Sequence, residues 1–203
     1  MKFRRVSLLI LMMGVVVASA CATKTVQRVA YTEEGVIATL RHQSEGGAPI
    51  DRGFAHPANI SQERLSAVLA SILVRDKNAG VKPAVTGALV RGVARGLSQA
   101  LEQADSSEEV ALTAVRKSRR LGIFTEKRLT SLVAYVEDDQ IVLSFTHIDW
   151  DLSNAKNFKT GALRLPQPRI GRKVSDFTVI PGDGLEVGGG GQAVKISIAG
   201  GSQ

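Results

Sequence analysis

The chain has little of what most reactive or stacking chemistry needs. One cysteine stands among 203 residues, so no intrachain disulfide can form. The three histidines, His42, His56 and His147, give few general bases near neutral pH. Aromatic residues make up 4% with a single tryptophan, Trp150, which leaves little flat ring surface for a platform that stacks sugars or bases. No apolar run reaches the roughly 20 residues that a membrane-spanning helix requires. HExxH zinc motifs, GxSxG nucleophile elbows and internal repeats are all absent.

What is present begins with an export signal. Lys2, Arg4 and Arg5 precede an apolar run from Leu8 to Ala18, broken only by Gly14. That length suits the apolar core of a secretory signal. Small residues follow, Ala18, Ser19 and Ala20, and then Cys21. The stretch Ala18-Ser19-Ala20-Cys21 resembles the lipobox of bacterial lipoproteins, with Ala18 where leucine is commonest. The resemblance implies that the Cys21 thiol is acylated, that the chain is cut before it and that the new amino terminus is acylated too. Two acyl chains, at about 0.8 kcal/mol per buried methylene, already hold a protein stably on a membrane. It implies further that no free thiol remains for a cysteine nucleophile or a Cys-ligated zinc. Ala22, where an aspartate would retain the protein in the inner membrane of enteric bacteria, implies sorting to the outer membrane on its periplasmic face.

The expected organisation is a signal peptide over residues 1–20, an acylated cysteine and tether over 21–33, and one periplasm-facing domain over 34–203. Without the signal, lysine plus arginine falls from 26 to 23 against 19 acidic residues, a net charge of about +4. The basic residues are scattered apart from one cluster, and an exported protein is not expected to meet nucleic acid.

Periodicity supplies the elements. Residues 35–42 alternate as a strand, and 44–53 carry loop residues. Ser61 is placed to cap a helix whose Leu65, Val68, Leu69 and Ile72 share one face. A short strand is expected over 72–75. Pro83 suits a helix first turn, and Val85, Leu89, Val93, Leu97 and Leu101 then recur every four residues, predicting a helix over 84–104. Within it Gly92 and Gly96 form GxxxG, and Arg91 and Arg95 forbid a membrane span, so the glycines predict close packing against a sheet or helix. Residues 109–116 read as a strand. Residues 129–136 and 141–148 flank EDDQ as a hairpin, and 185–187 and 193–198 flank GGGG as another. These elements predict an α+β fold, a mostly antiparallel sheet with two main helices on one face. The segments HPANISQERLSAVLASI and GIFTEKRLTSLVAYVEDDQIVLSF resemble stretches of proteobacterial lipoproteins without an assigned activity, and the resemblance implies no site residues.

Candidate chemistry is sparse. Ser153 and Lys156 form SxxK and Lys159-Thr160-Gly161 form KTG, two motifs of penicillin-binding proteins and class A β-lactamases. Only two residues separate them here, too few for one segment to be both helix start and facing strand. His147, Asp149 and Asp151 alternate and offer nitrogen and oxygen ligands to a divalent metal. His147, however, continues the apolar face of Leu143 and Phe145, so no metal and no cofactor is expected. Gly188–Gly191 precede a strand, not the helix that a phosphate loop enters. Arg116, Lys117, Arg119 and Arg120 form the one dense basic cluster, expected in a loop between strands and suited to anionic headgroups or an acidic partner. The sequence therefore points to a non-catalytic, membrane-anchored binding or assembly module whose partner is an envelope protein. The alternatives are a cell-wall or lipid hydrolase using His147, Asp149 and Asp151, or a carrier of lipid or a small ligand.

Overall fold

The computed structural model describes residues 23–33, 35–120, 124–152, 165–172 and 176–198. Its centre is the hairpin announced by the alternating runs around EDDQ. β7 (Phe124–Glu137) and β8 (Gln140–Asp151) pair antiparallel around the two-residue turn Asp138-Asp139. Asp138 has a φ of 52°, a conformation that aspartate tolerates better than most side chains. On one side β6 (Glu109–Arg120) pairs with β7, β2 (Val36–Glu45) with β6, and β1 (Lys24–Glu33) forms the edge. The two-residue β3 (Ala48–Pro49) folds back on the end of β2. On the other side β8 pairs with β11 (Ala193–Ser197) and β11 with β10 (Leu185–Gly188), joined through the glycine run as expected. The order is β1-β2-β6-β7-β8-β11-β10, and every pairing is antiparallel. A second antiparallel sheet contains β5 (Gly80–Pro83), β4 (Leu73–Asp76) and β9 (Phe177–Val179).

Two helices cover one face of the large sheet. α1 (Gln62–Ser71) starts where the Ser61 side chain accepts the Arg64 N–H at 3.2 Å, satisfying one of the helix's free donors. α2 (Gly87–Gln103) lies across β1, β2 and β6, and α1 packs on α2. The four-residue stripe Leu89, Val93, Leu97 and Leu101 is buried against Val36, Ala38, Leu40, Leu112 and Ala114 of the sheet. Close approach explains Gly92 and Gly96. A Cβ on Gly96 would lie 2.9 Å from the Tyr31 ring, and one on Gly92 would lie 3.2 Å from a Val36 methyl. The fold is α+β with a mostly antiparallel sheet and its helices on one face.

Three expectations are corrected. The segment after Ala22 is not a loose tether: Lys24–Glu33 is strand β1, fastened by the Arg28 guanidinium to Glu108 at 2.9 Å and to the Gln103 carbonyl at 2.8 Å. An edge strand that buries only Tyr31 shows no apolar alternation, so only its Thr, Val and Tyr content hints at it. Pro83 ends β5 instead of opening the helix, and Thr86 is the N-cap residue. At the end of a strand proline's missing N–H costs no ladder bond. The basic cluster, finally, lies on a strand and not in a loop, because β6 runs on to Arg120.

Candidate functional site

β6 pairs with β2 only from Glu109 to Ala114, but with β7 as far as Arg120. The β6–β7 hairpin therefore projects beyond β2, becomes a two-stranded arm past the Arg128–Asp151 pairing with β8, and continues its backbone ladder where burial no longer requires apolar side chains. The arm gathers charge from both strands. Arg116 stands opposite Arg128 and Lys117 opposite Lys127. Like charges directly opposed on neighbouring strands repel, so the arrangement needs compensation or a partner.

Compensation reaches one pair and not the other. Asp149 accepts a bond from Arg116 Nη2 at 3.0 Å, and its second oxygen lies 3.5 Å from Arg128 Nη1. Arg128 also donates to Glu126 through Nε at 2.8 Å and to the Asp149 carbonyl at 3.1 Å. Hydrogen bonding to Glu126 and the charges of Asp149 and Asp151 hold the Arg128 pKa above its usual value. Asp149 has a φ of 46°, so the chain turns there and brings its carboxylate between the two arginines. Lys117, Arg119 and Lys127 are exposed and make no ion pair among the described residues. The cluster is thus two units: Arg116 is half-buried and neutralised, while Lys117 and Arg119 are free and are joined by Lys127 from the facing strand. The Arg120 side chain lies outside the described residues. Lys127 and Arg128, seven and eight positions beyond Arg120, join the cluster, Lys127 on the face of Lys117 and Arg128 on that of Arg116, and only the hairpin register shows it.

The metal candidate is taken apart by the same strands. β8 shifts register against β7 between Leu129 and Ser131 and again between Ser131 and Leu132. These bulges carry His147 off the face of Leu143 and Phe145, and Ile148 takes its place in the core. The alternation of His147, Asp149 and Asp151 therefore does not place them on one face. Asp149 is engaged by arginines, and among the described residues no group of three or more His, Cys, Asp or Glu could hold a metal ion.

His147 instead meets Ser131, with Nδ1 and Oγ 2.6 Å apart, and its ring leans on Trp150 with centroids 5.1 Å apart. Both residues are buried, Ser131 at 0% exposure and His147 at 2%. Burial first and the charge of Arg172 second push the imidazole pKa down to about 4. A base that weak takes up few protons near neutrality. The sequence offered no Ser–His pair at a usable spacing; the β7–β8 hairpin makes one across sixteen positions. His56 is half-buried and its pKa is lowered, chiefly by desolvation; Nε2 accepts the Val136 N–H at 2.9 Å. The SxxK and KTG residues and Cys21 lie outside the described residues.

Compared with protein-family models, with curated proteins and with solved structures, the chain matches none. Among the described residues no helix is long and apolar enough to cross a membrane.

Proposed function

We propose that the chain is an envelope lipoprotein, held through acylated Cys21 on the periplasmic face of the outer membrane, whose domain works by contact with an acidic envelope partner. The anchor rests on the lipobox resemblance. The observation that carries the contact reading is the β6–β7 arm, with Lys117, Arg119 and Lys127 exposed and unpaired beside a neutralised Arg116–Asp149–Arg128 base. Glu109 stands beside Arg41 near the start of the domain, and Arg119 lies ten residues further along an extended strand. At about 3.3 Å per residue the arm is roughly 33 Å from that end. The separation favours a partner away from the anchoring membrane over the headgroups beneath it.

A hydrolase reading draws on the Ser131–His147 bond. Against it stand the burial of both side chains, the lack of a described carboxylate bonded to the imidazole, and an imidazole pKa near 4. A nucleophile needs a base held by a third group and a substrate that can reach it. We read the pair as a polar contact that satisfies two buried groups.

The test uses the full chain in intact cells. A palmitate analogue should label the wild type and not Cys21→Ser. Crosslinking should recover an acidic envelope protein whose yield falls at least several-fold in a Lys117→Gln, Arg119→Gln, Lys127→Gln triple variant and falls with rising salt. Equal label on both chains removes the anchor, and equal yield from the triple variant removes the arm as the contact. Arg116 is left in place because its ion pair with Asp149 is half-buried, and breaking it would confuse lost folding with lost contact.

A further inference from the structure

A second charged feature lies at the opposite end of the strands. Gln27 of β1, Arg41 of β2 and Glu109 of β6 stand side by side in the sheet register, on the face away from the helices. Arg41 and Glu109 form the floor of a cleft of about 450 Å³. Arg52 and Arg169 line it as well. Small-molecule sites span roughly 300–1,000 Å³. Arg41 is largely buried: its Nε bonds Glu109 and its Nη1 donates to the Pro168 carbonyl. That leaves Nη2 without a bond among the described residues.

The charge in the cleft does not cancel. Glu109 is spent on Arg41, while Arg52 and Arg169 have no carboxylate partner among the described residues. Arg52 is held over the Phe54 ring at 5.2 Å, which leaves its N–H groups free to point outward. Arg169 is tied down at its backbone, whose N–H donates to the Thr146 hydroxyl and whose carbonyl accepts from it, and its exposed side chain makes no ion pair among the described residues. Two guanidinium groups without a carboxylate partner line one cleft with a third held by Glu109 and the Pro168 carbonyl, a set suited to anion recognition because each guanidinium offers paired donors to oxygens of a phosphate.

Thr25 also lines this cleft. It stands four positions after Cys21, and an extended chain covers at most about 14 Å over that step. We infer that the cleft formed by Arg41, Arg52 and Arg169 binds a phosphate-bearing anion, at the level of the headgroups of the membrane in which Cys21 is anchored. The source of the phosphate rests on the anchor reading; the site itself does not.

The test is calorimetric titration of glycerol 3-phosphate and of inorganic phosphate into the full chain in neutral maltoside micelles. The wild type should bind, and Arg52→Gln with Arg169→Gln should weaken binding about tenfold or more while the melting temperature stays within a degree or two, since both side chains are exposed. The arm variant Lys117→Gln, Arg119→Gln, Lys127→Gln should bind as the wild type does. No binding by the wild type, or equal binding by the Arg52/Arg169 variant, overturns the proposal. Loss confined to the arm variant overturns it as well. In phosphatidylglycerol bilayers, titration that no longer registers added glycerol phosphate identifies the lipid headgroup as the source. Undiminished binding there identifies a free phosphate compound, and both results support an anion site. Cys21→Ser in the same micelles should bind like the wild type, so a failure of lipidation leaves the test of the cleft intact.

Discussion

Acid should loosen this fold through one side chain. His147 is buried beside Ser131 and Trp150, and its pKa falls from the ordinary 6.5 to about 4. Between those values the unfolded chain binds a proton at this position and the folded chain does not. Stability from the neutral imidazole is therefore full above pH 6.5 and is lost as pH falls through the window down to about 4. Each pH unit inside the window is worth about 1.4 kcal/mol, so moving from pH 7 to pH 5 removes about 2 kcal/mol. His56, also lowered by burial, adds in the same direction. Asp76 and Asp105, held below their usual values by hydrogen bonds from Lys82 and Ser107, stay ionised in both states above pH 5 and add nothing there. Comparison with His147→Gln isolates the term. Urea unfolding at pH 7 and pH 5, followed by circular dichroism, should show the wild type losing about 2 kcal/mol more than the variant, whatever the variant's stability at pH 7. The same pH dependence in both chains would refute the reasoning, because it would mean that His147 takes its proton as readily folded as unfolded.

Two further outcomes follow from the helix face. Leu97→Ala, at a position with 0% exposure in the stripe of α2, should lower stability by about 2–5 kcal/mol in the same urea experiment. Gly96→Ala should melt below the wild type because its new methyl meets the Tyr31 ring at 2.9 Å, whereas Gly87→Ala, with nothing within 4 Å, should melt at or above it; the reverse order in thermal melts would show that the helix does not lie where its glycines place it.

The parts of this fold that were legible in sequence are those where burial is one-sided and regular. The α2 stripe, the Ser61 cap and the runs either side of Glu137–Gln140 each satisfy a local rule, and each forms. β1 was not legible because an outer strand with one buried residue needs no apolar alternation; its pairing with β2 and the Arg28–Glu108 contact hold it instead. The arm is hidden in the sequence for a related reason. Beyond Ala114 the sheet loses β2 as a neighbour, the selection for apolar residues relaxes, and a polar strand looks like a loop. His147 shows the opposite failure. The strand was expected and is there, but bulges shift its register, and a one-residue slip sends every following side chain to the other face. Lys127, Arg128, Ser131 and the cleft residues Arg52 and Arg169 become neighbours of distant residues only through tertiary pairing, which composition and spacing do not encode.

Charge is concentrated at the two ends of the strands. The chain that leads from Cys21 enters the sheet at Lys24, which pairs with Ser44, and the phosphate cleft opens beside that pair. The arm leaves from the other end of β6 and β7. Strands are stiff over this distance, because the β6–β7 ladder is unbroken from Val110 to Arg120. Under the anchor proposal, a cleft holding a headgroup and an acyl chain on Cys21 are two attachments close together at one end. A single flexible attachment lets a domain lie at any angle, whereas a second one beside it restrains the strand axis. With the axis held away from the membrane plane, Lys117 and Lys127 stand roughly 26 Å above the cleft and Arg119 roughly 33 Å, about three to four Debye lengths from the headgroups at physiological salt, where one length is about 8 Å. Attraction of the arm to its own membrane is then screened, and its uncompensated charge is left for a partner in the periplasm.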